Sequence, residues 1–175
     1  MSTTEHQAQA AEGSGFSPRI LVFSTNNISD PGIDLAGSTH LHYSPRAVVI
    51  SLPCSSGIKP AWVLYAVERG FDGVFVAADG EECAYLPDCS ERTAQIVAQA
   101  QGLLRARGYQ PKRVKMAAIC SVCAEPFVGH LREFAEMLRE LGPSAGEALG
   151  EGAGGGAAME ATAPDRAQGD APGEA

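Results

Sequence analysis

Long apolar runs and positive charge are both scarce in this sequence. No stretch approaches 18 uninterrupted apolar residues, so no membrane-spanning helix is predicted. The chain has 13 Lys and Arg against 21 Asp and Glu, which gives a net charge of −8. Because phosphate contacts need clustered basic side chains, a nucleic-acid partner is not expected. The chain also does not open on a basic segment followed by an apolar one, so no secretory signal is predicted and a cytoplasmic location is expected.

Glycine-rich phosphate loops are missing as well. The first apolar run is followed by STNNISDPG at residues 24–32, which has neither G-x-G-x-x-G nor P-loop spacing. A nucleotide cofactor is therefore not predicted. Cysteine, in contrast, is present five times. In a reducing compartment, cysteines in such numbers are more often metal ligands, catalytic groups or core residues than a disulfide framework.

Both ends of the chain differ from its middle. Residues 1–18 have no apolar period and predict a flexible leader. Residues 144–175 are rich in Gly, Ala and Glu and contain no aromatic residue. Such a segment cannot bury enough apolar surface to offset its ordering entropy, so a disordered tail is predicted. Residues 19–143 are then predicted to form one domain of ordinary size.

Four short apolar runs in that domain do not alternate with polar residues, which is typical of strands buried on both faces. The runs are residues 19–25, 47–52, 73–78 and 114–119. Helical periodicity predicts three helices, at residues 59–69, 90–107 and 127–141, and at most a short helical turn within 26–46. This order predicts an α/β fold: an open parallel sheet of about four strands with helices on both faces, a flavodoxin-like or Rossmann-like three-layer arrangement.

Cysteines follow three of these predicted strands. Cys54 follows the second, Cys83 the third, and Cys120 and Cys123 form a C-x-x-C pair after the fourth. In open parallel sheets the functional crevice lies outside the carboxyl ends of the strands. Four thiolates there suit a [2Fe–2S] or [4Fe–4S] cluster or a zinc ion. The four cysteines are therefore the predicted ligands of one iron–sulfur site.

The fifth cysteine and the acidic residues refine this hypothesis. Cys89 lies further along the chain, just before a helix, and is predicted to be dispensable for the site. Acidic residues surround Cys83 and would raise the pKa of its thiol, which disfavours a free nucleophile but suits a cationic metal. A weaker alternative is a thiol oxidoreductase that works through Cys120 and Cys123.

Several motifs spread over residues 19–143 carry a family resemblance. They are Asn26, G-x-D-L-A-G at 32–37, Tyr43, P-C-S at 53–55, Pro60, the V-x-x-A-x-x-x-G-x-D-G-V frame at 63–74, and C-x-Y at 83–85. With these motifs the chain resembles the delta (iron–sulfur) subunit family of methyl-viologen-reducing hydrogenases, whose domain also occurs fused to, or beside, heterodisulfide reductase subunits.

The resemblance implies a [2Fe–2S] cluster and an electron-transfer subunit with no substrate site of its own. It further implies that electrons pass between a [NiFe] hydrogenase, or a formate- or flavin-dependent partner, and a heterodisulfide-reductase-type flavoprotein. The implied partners are the large and small hydrogenase subunits or the heterodisulfide reductase flavoprotein subunit.

The cysteine pattern departs from that family. Its C-N-W-C motif after the first strand reads Thr25 to Ile28 here, and the first cysteine of its second motif is Ala78. Cys54 and Cys83 match family cysteines. Two hypotheses follow. Either the C-x-x-C pair after the fourth strand supplies replacement ligands, or the protein is a diverged assembly module that holds zinc or no metal.

Overall fold

Four parallel strands form one sheet in the order β2-β1-β3-β4. They are β1 (Ile20–Thr25), β2 (Ala47–Leu52), β3 (Gly73–Ala78) and β4 (Val114–Ala118). The structure is a computed structural model that describes residues 15–80, 83 and 85–146. The predicted leader as far as residue 14 and the predicted tail from residue 147 lie outside the described residues.

Four helices cover the two faces of the sheet. They are α1 (Ser29–Ser38), α2 (Pro60–Glu68), α3 (Cys89–Ala106) and α4 (Ala124–Leu141). Helices α1 and α4 pack on one face, and α2 and α3 on the other. Successive residues of β3 serve the two faces in turn, since Phe75 joins the α1–α4 core and Val76 the α2–α3 core. The predicted open three-layer α/β fold is confirmed.

Helix α1 is longer than the sequence predicts. Its segment contains Pro31, Gly32 and Gly37, which are weak helix formers, so its stability comes from packing against α4. Gly32 is required there by close approach. A Cβ atom at this position would lie 2.7 Å from the carbonyl oxygen of Cys120, so α1 passes directly against the loop that follows β4.

Strand β2 is less buried than its apolar sequence predicts. It lies at the edge of the sheet with β1 as its neighbour. The side chains of Val48, Val49 and Ile50 are 46%, 36% and 43% exposed. The prediction of burial on both faces is wrong for this strand, because an edge strand extends beyond the helices that cover its neighbours.

The amino ends of the strands are closed by a buried polar network. Arg113 is fully buried. Its basic neighbours in the sequence instead suggest a solvated turn. Its Nη1 and Nη2 atoms donate to the carbonyl oxygens of Asp72 and Gly142 at 2.9 and 3.0 Å. The Asp72 carboxylate accepts the backbone N–H of Arg19 at 2.8 Å. This end of the sheet is therefore structural, which leaves the carboxyl ends for a site.

Within the described part of the chain, no helix combines the length and the apolar character needed to cross a membrane.

Candidate metal centre

The sheet order creates a crevice between β1 and β3. These two strands are neighbours, but the chain leaves β1 through α1 on one face and leaves β3 through α3 on the other. Such a reversal of strand order is the point where open α/β sheets bind ligands, outside the carboxyl ends of the strands. The residues that end β1 and follow β3 are therefore the first candidates for a site.

A buried polar cluster occupies this crevice. The Thr25 hydroxyl, at the end of β1, donates to the carboxylate of Asp79, which directly follows β3. Ser29 supports the arrangement, because its Oγ accepts the backbone N–H of Thr25 at 2.6 Å and donates to the carbonyl of Ala77 at 3.0 Å. Asp79 is only 6% exposed. Its carboxylate is thus held in place at the switch point, away from bulk water.

The loop after β2 brings Cys54 towards α3. A short 3₁₀ turn, Ser55–Gly57, follows Cys54 and packs against α3 and against the ends of β1 and β3. The Ser55 hydroxyl lies 2.9 Å from the Thr93 hydroxyl and 3.5 Å from the Cys89 sulfur. The Thr93 hydroxyl in turn donates to the Cys89 carbonyl at 2.8 Å. These contacts fix the turn at the first turn of α3.

Three cysteines and one carboxylate meet as a result. The Sγ atoms of Cys54 and Cys89 are 3.7 Å apart. One ligand atom each from Asp79, Cys83 and Cys89 lies within 4.8 Å of the other two. Gly80 has a φ of +72°, a left-handed conformation that suits glycine and turns the chain away from β3 towards Cys83. We call Cys54, Asp79, Cys83 and Cys89 the switch-point cluster.

The thiols of this cluster differ in acidity. Burial raises the pKa of Cys89, and the neighbouring Cys54 raises it further. Burial also acts to raise the pKa of Cys54, but hydrogen bonds from the Ser56 hydroxyl, the Ser56 backbone N–H and the Cys89 thiol outweigh it, so the pKa of Cys54 lies below its ordinary value. Cys54 is therefore the more acidic thiol of the pair.

The donor set fits a thiolate-ligated metal. Two thiolates bound about 2.3 Å from one tetrahedral ion lie about 3.8 Å apart, which is close to the observed Cys54–Cys89 separation. Asp79, Cys83 and Cys89 offer three donors to one position, and Cys54 reaches the group through its contact with Cys89. Thiolates are ligands that both zinc and iron–sulfur clusters accept. The cluster also lies at the amino end of α3, where the helix dipole favours negative charge.

Cys120 and Cys123 are placed differently. They are joined by a disulfide bond in the loop between β4 and α4, and the Cys120 carbonyl lies against α1. The sequence predicts these two as ligands together with Cys54 and Cys83. The structure brings Cys54 and Cys83 together with Cys89 instead. The participation of Cys120 and Cys123 stays a prediction, and it requires their disulfide to be reduced.

Cys89 lies at the same edge of the sheet as Cys54 and Cys83, not beyond it as expected, and its dispensability for metal binding stays a prediction. In parallel α/β folds each helix begins at the carboxyl edge of the sheet, so the first residue of α3 necessarily lies at the crevice. The predicted start of this helix near residue 90 therefore indicated that Cys89 lies at the carboxyl edge of the sheet. Thr25 and Ser29 gave no such signal, because short hydroxyl side chains next to a strand are also typical of ordinary turns.

An exposed rim borders the cluster. Tyr85, two residues after Cys83, is 69% exposed, and its hydroxyl accepts a hydrogen bond from the Asn27 side chain at 3.3 Å. Asn27 lies in the loop that follows β1. The two loops on either side of the switch point thus meet at the surface and present an aromatic ring to solvent.

Comparison with known proteins identifies a family and several relatives. The family described as methyl-viologen-reducing hydrogenase, delta subunit, matches residues 20–142. The iron-sulfur subunit of the F420-non-reducing hydrogenase of Archaeoglobus profundus is 29% identical over 131 residues, which cover 72% of this chain and 92% of that protein. The vhu iron-sulfur subunit of the F420-non-reducing hydrogenase of Methanopyrus kandleri is 33% identical over 113 residues, 64% of this chain and 85% of that protein.

A longer relative contains the same domain as one part. A subunit of the ferredoxin:CoB-CoM heterodisulfide reductase of Methanosarcina mazei is 31% identical over 150 residues, 83% of this chain. The chain spans 18% of the length of that protein and 17% of its counterpart in Methanosarcina acetivorans. The family match covers the whole sheet and all four helices. The chain belongs to the methyl-viologen-reducing hydrogenase delta subunit family.

Proposed function

We propose that the protein is the electron-transfer subunit of an oxidoreductase complex of the hydrogenase and heterodisulfide reductase type. It would hold an iron–sulfur centre, of the [2Fe–2S] type, at the switch-point cluster. The observation that carries this proposal is the buried group of Asp79, Cys83 and Cys89, with the Cys54 sulfur 3.7 Å from the Cys89 sulfur. Relatives that match 72% and 64% of this chain are named iron-sulfur subunits, which supports it.

Each residue of the cluster would have its own role in binding the iron–sulfur centre. Cys54, Cys83 and Cys89 supply thiolates, and Asp79 supplies a carboxylate held by the Thr25 hydroxyl. The hydroxyl and backbone N–H of Ser56 stabilise negative charge on the Cys54 sulfur. An iron–sulfur centre bound there supplies one-electron oxidation and reduction. Hydrogen bonds to sulfur and limited exposure set the potential of such a centre.

The proposed role is a relay without a substrate site. Electrons would pass between a hydrogenase, or a formate- or flavin-dependent partner, and a heterodisulfide-reductase-like flavoprotein subunit. The M. mazei relative supports the second partner, because the matching region there is part of a chain named as a heterodisulfide reductase subunit. The exposed ring of Tyr85 beside the cluster is the kind of surface that a partner protein covers. We place this complex in the cytoplasm, away from nucleic acid and membranes.

Anaerobic purification followed by spectroscopy tests the proposal. The full chain, treated with ferrous iron and sulfide, is expected to be brown and to contain about two iron atoms and two sulfides per chain. Its visible absorption bands are expected to bleach with dithionite. Single Cys54→Ser, Cys83→Ser and Cys89→Ser variants are expected to lose the colour.

The matched control is the Cys120→Ser/Cys123→Ser double variant, which is expected to keep the spectrum of the unmodified protein. Loss of colour in this control, with retention in Cys89→Ser, would support the ligand set predicted from the sequence and overturn the switch-point assignment. A colourless, iron-free protein after reconstitution would refute the electron-transfer function.

A second function is favoured by one observation. Thr25, Ile28 and Ala78 occupy positions where the resemblance implies cysteines, so this chain has fewer thiols near the crevice than a four-thiolate cluster uses. Three thiolates and one carboxylate around a single ion also describe a structural zinc site. The alternative is therefore a non-redox assembly module. About one tightly bound zinc per chain, with no dithionite-sensitive absorption, would establish it.

A further inference from the structure

The loop between β4 and α4 carries a group that the proposed function does not use. Cys120 and Cys123 form a disulfide across two intervening residues. Cys120 and Cys123 are half-buried. Ser121 and Val122 between them are exposed, and Val122 is 74% exposed. The loop thus exposes its two middle residues, while the Cys123 side chain packs against the α1–α4 core.

A structural role explains this disulfide poorly. Closing a loop over so few residues removes the least entropy from the unfolded chain, so the bond adds less stability than one between distant segments. Nearby structure already fixes the loop without it. The N–H of Ile119 donates to the Ala78 carbonyl at 2.8 Å, the Cys123 N–H donates to the Cys120 carbonyl at 3.0 Å, and Ile119 is fully buried.

The two sulfurs also differ in their surroundings. Cys123 is the N-cap residue of α4, whose 18 residues direct their helix dipole towards it. A thiolate at a helix amino end is stabilised by that dipole, although Glu125 in the first turn acts against it. Cys120 precedes the helix by a further three residues and lacks this stabilisation. A cavity of about 400 Å³, lined by Leu35, Val122 and Pro126 among others, opens beside the loop.

We propose that Cys120–Cys123 is a second redox site, a disulfide that exchanges two electrons with a dithiol. An incoming thiolate attacks the Cys120 sulfur, forms a mixed disulfide and releases Cys123 as the thiolate. The second thiol of the reductant then attacks the first sulfur of the reductant, which is bonded to Cys120 in the mixed disulfide. This step releases Cys120 as a thiol. Two electrons and two protons pass from the dithiol to the protein, and the reductant leaves as a disulfide.

This site differs in kind from the switch-point cluster. It carries electrons in pairs through sulfur chemistry alone, and it needs no metal. The reductant is a protein or small-molecule dithiol, defined here by its chemistry. The proposal is independent of the iron–sulfur centre, because none of the contacts used above involves Cys54, Cys83 or Cys89.

Thiol mapping on the full-length, folded, metal-free protein tests the site. The probe is dithiothreitol at graded concentrations, with thiols alkylated and located by peptide mass spectrometry. The expected result is a gain of two thiols per chain, both at Cys120 and Cys123, under conditions that leave the circular dichroism spectrum unchanged. Removal of the reductant in air is expected to restore the disulfide.

Two outcomes would overturn the proposal. Free thiols at Cys120 and Cys123 in the air-oxidised folded protein would show that the disulfide does not form. Reduction only in denaturant would show that the bond is structural. A metal-free result in the iron assay leaves this test unaffected, so failure of the two proposals can be distinguished.

Single-cysteine variants test the direction of attack. Cys123 in the Cys120→Ser variant is expected to react several-fold faster with an aromatic disulfide probe at neutral pH than Cys120 in the Cys123→Ser variant, because its thiolate lies at the helix end. Equal or reversed rates would contradict the assignment of Cys123 as the leaving group.

Discussion

Two groups of cysteines lie at the same edge of one sheet, and they differ in almost every physical respect. Cys54, Cys83 and Cys89 are gathered against α3, with a buried carboxylate among them and hydroxyl groups around them. Cys120 and Cys123 lie beside α1, are half-buried and are joined by a disulfide bond. The difference shows that a shared sheet edge does not make a shared site, because the loops and helix starts decide which thiols meet.

The substitution with the largest expected effect disrupts the sheet whose loops carry both groups of cysteines. Val76 is 1% exposed in β3, an interior strand, so Val76→Asp would bury an unpaired carboxylate. We expect a loss of about 4 kcal/mol or more in the free energy of unfolding, enough to abolish cooperative folding. Urea denaturation followed by circular dichroism measures it.

Val48→Asp is the matched control in edge strand β2. Val48 is 46% exposed, so its carboxylate stays hydrated and a loss of no more than about 1 kcal/mol is expected. A cooperatively folded Val76→Asp protein would contradict the central position of β3.

The next largest loss of stability is expected at the contact between α1 and the disulfide loop. Gly32→Ala places a Cβ atom 2.7 Å from the Cys120 carbonyl oxygen, so either α1 or the loop has to shift. We expect a destabilisation of about 1–3 kcal/mol, as for other overpacked sites. The thermal unfolding midpoint measures it.

Gly37→Ala in the same helix is the control, since nothing lies within 4 Å of a Cβ atom at that position. It is expected to be neutral or to stabilise by up to about 1 kcal/mol through helix propensity. Equal behaviour of the two variants would contradict the close packing of the loop on α1.

The smallest expected effect concerns the acidity of one thiol. Because the pKa of Cys54 is lowered and that of Cys89 is raised, iodoacetamide is expected to modify Cys54 at lower pH than Cys89 in the reduced, metal-free protein. Ser56→Ala removes a hydrogen bond to the Cys54 sulfur, which raises its pKa and moves its alkylation profile to higher pH. Peptide mapping over a range of pH measures both profiles.

Ser121→Ala, in the exposed disulfide loop, is the control and is expected to leave the Cys54 profile unchanged. Alkylation of Cys89 before Cys54 at any pH would contradict the assignment of Cys54 as the more acidic thiol.

Much of the fold could be predicted from sequence, because its information is local. The apolar runs that form β2 and β3 match their predicted bounds, because short runs rich in β-branched residues are typical of strands. Helix α1 could not be predicted at its full length. Its glycines and Pro31 weaken the local signal, and the packing against α4 that stabilises it is not local.

The common location of Cys54 and Cys83 could be predicted for the same reason. The strand ends that carry Cys54 and Cys83 follow from strand order, and both residues lie in the switch-point cluster. The neighbour of Cys54 could not be predicted, because it depends on the turn at Ser55 that reaches α3. Spacing in the C-x-x-C pair indicated that Cys120 and Cys123 act together but not whether they bind metal or each other.

Iron content after identical anaerobic reconstitution is the most direct test of the difference between the two groups. The comparison is between Cys54→Ser/Cys89→Ser and Cys120→Ser/Cys123→Ser, with the unmodified protein as reference. The first variant is expected to retain almost no iron or acid-labile sulfide, and the second is expected to retain as much as the reference. Loss of iron from the second variant with retention in the first would contradict the central claim that the switch-point cluster is the metal centre.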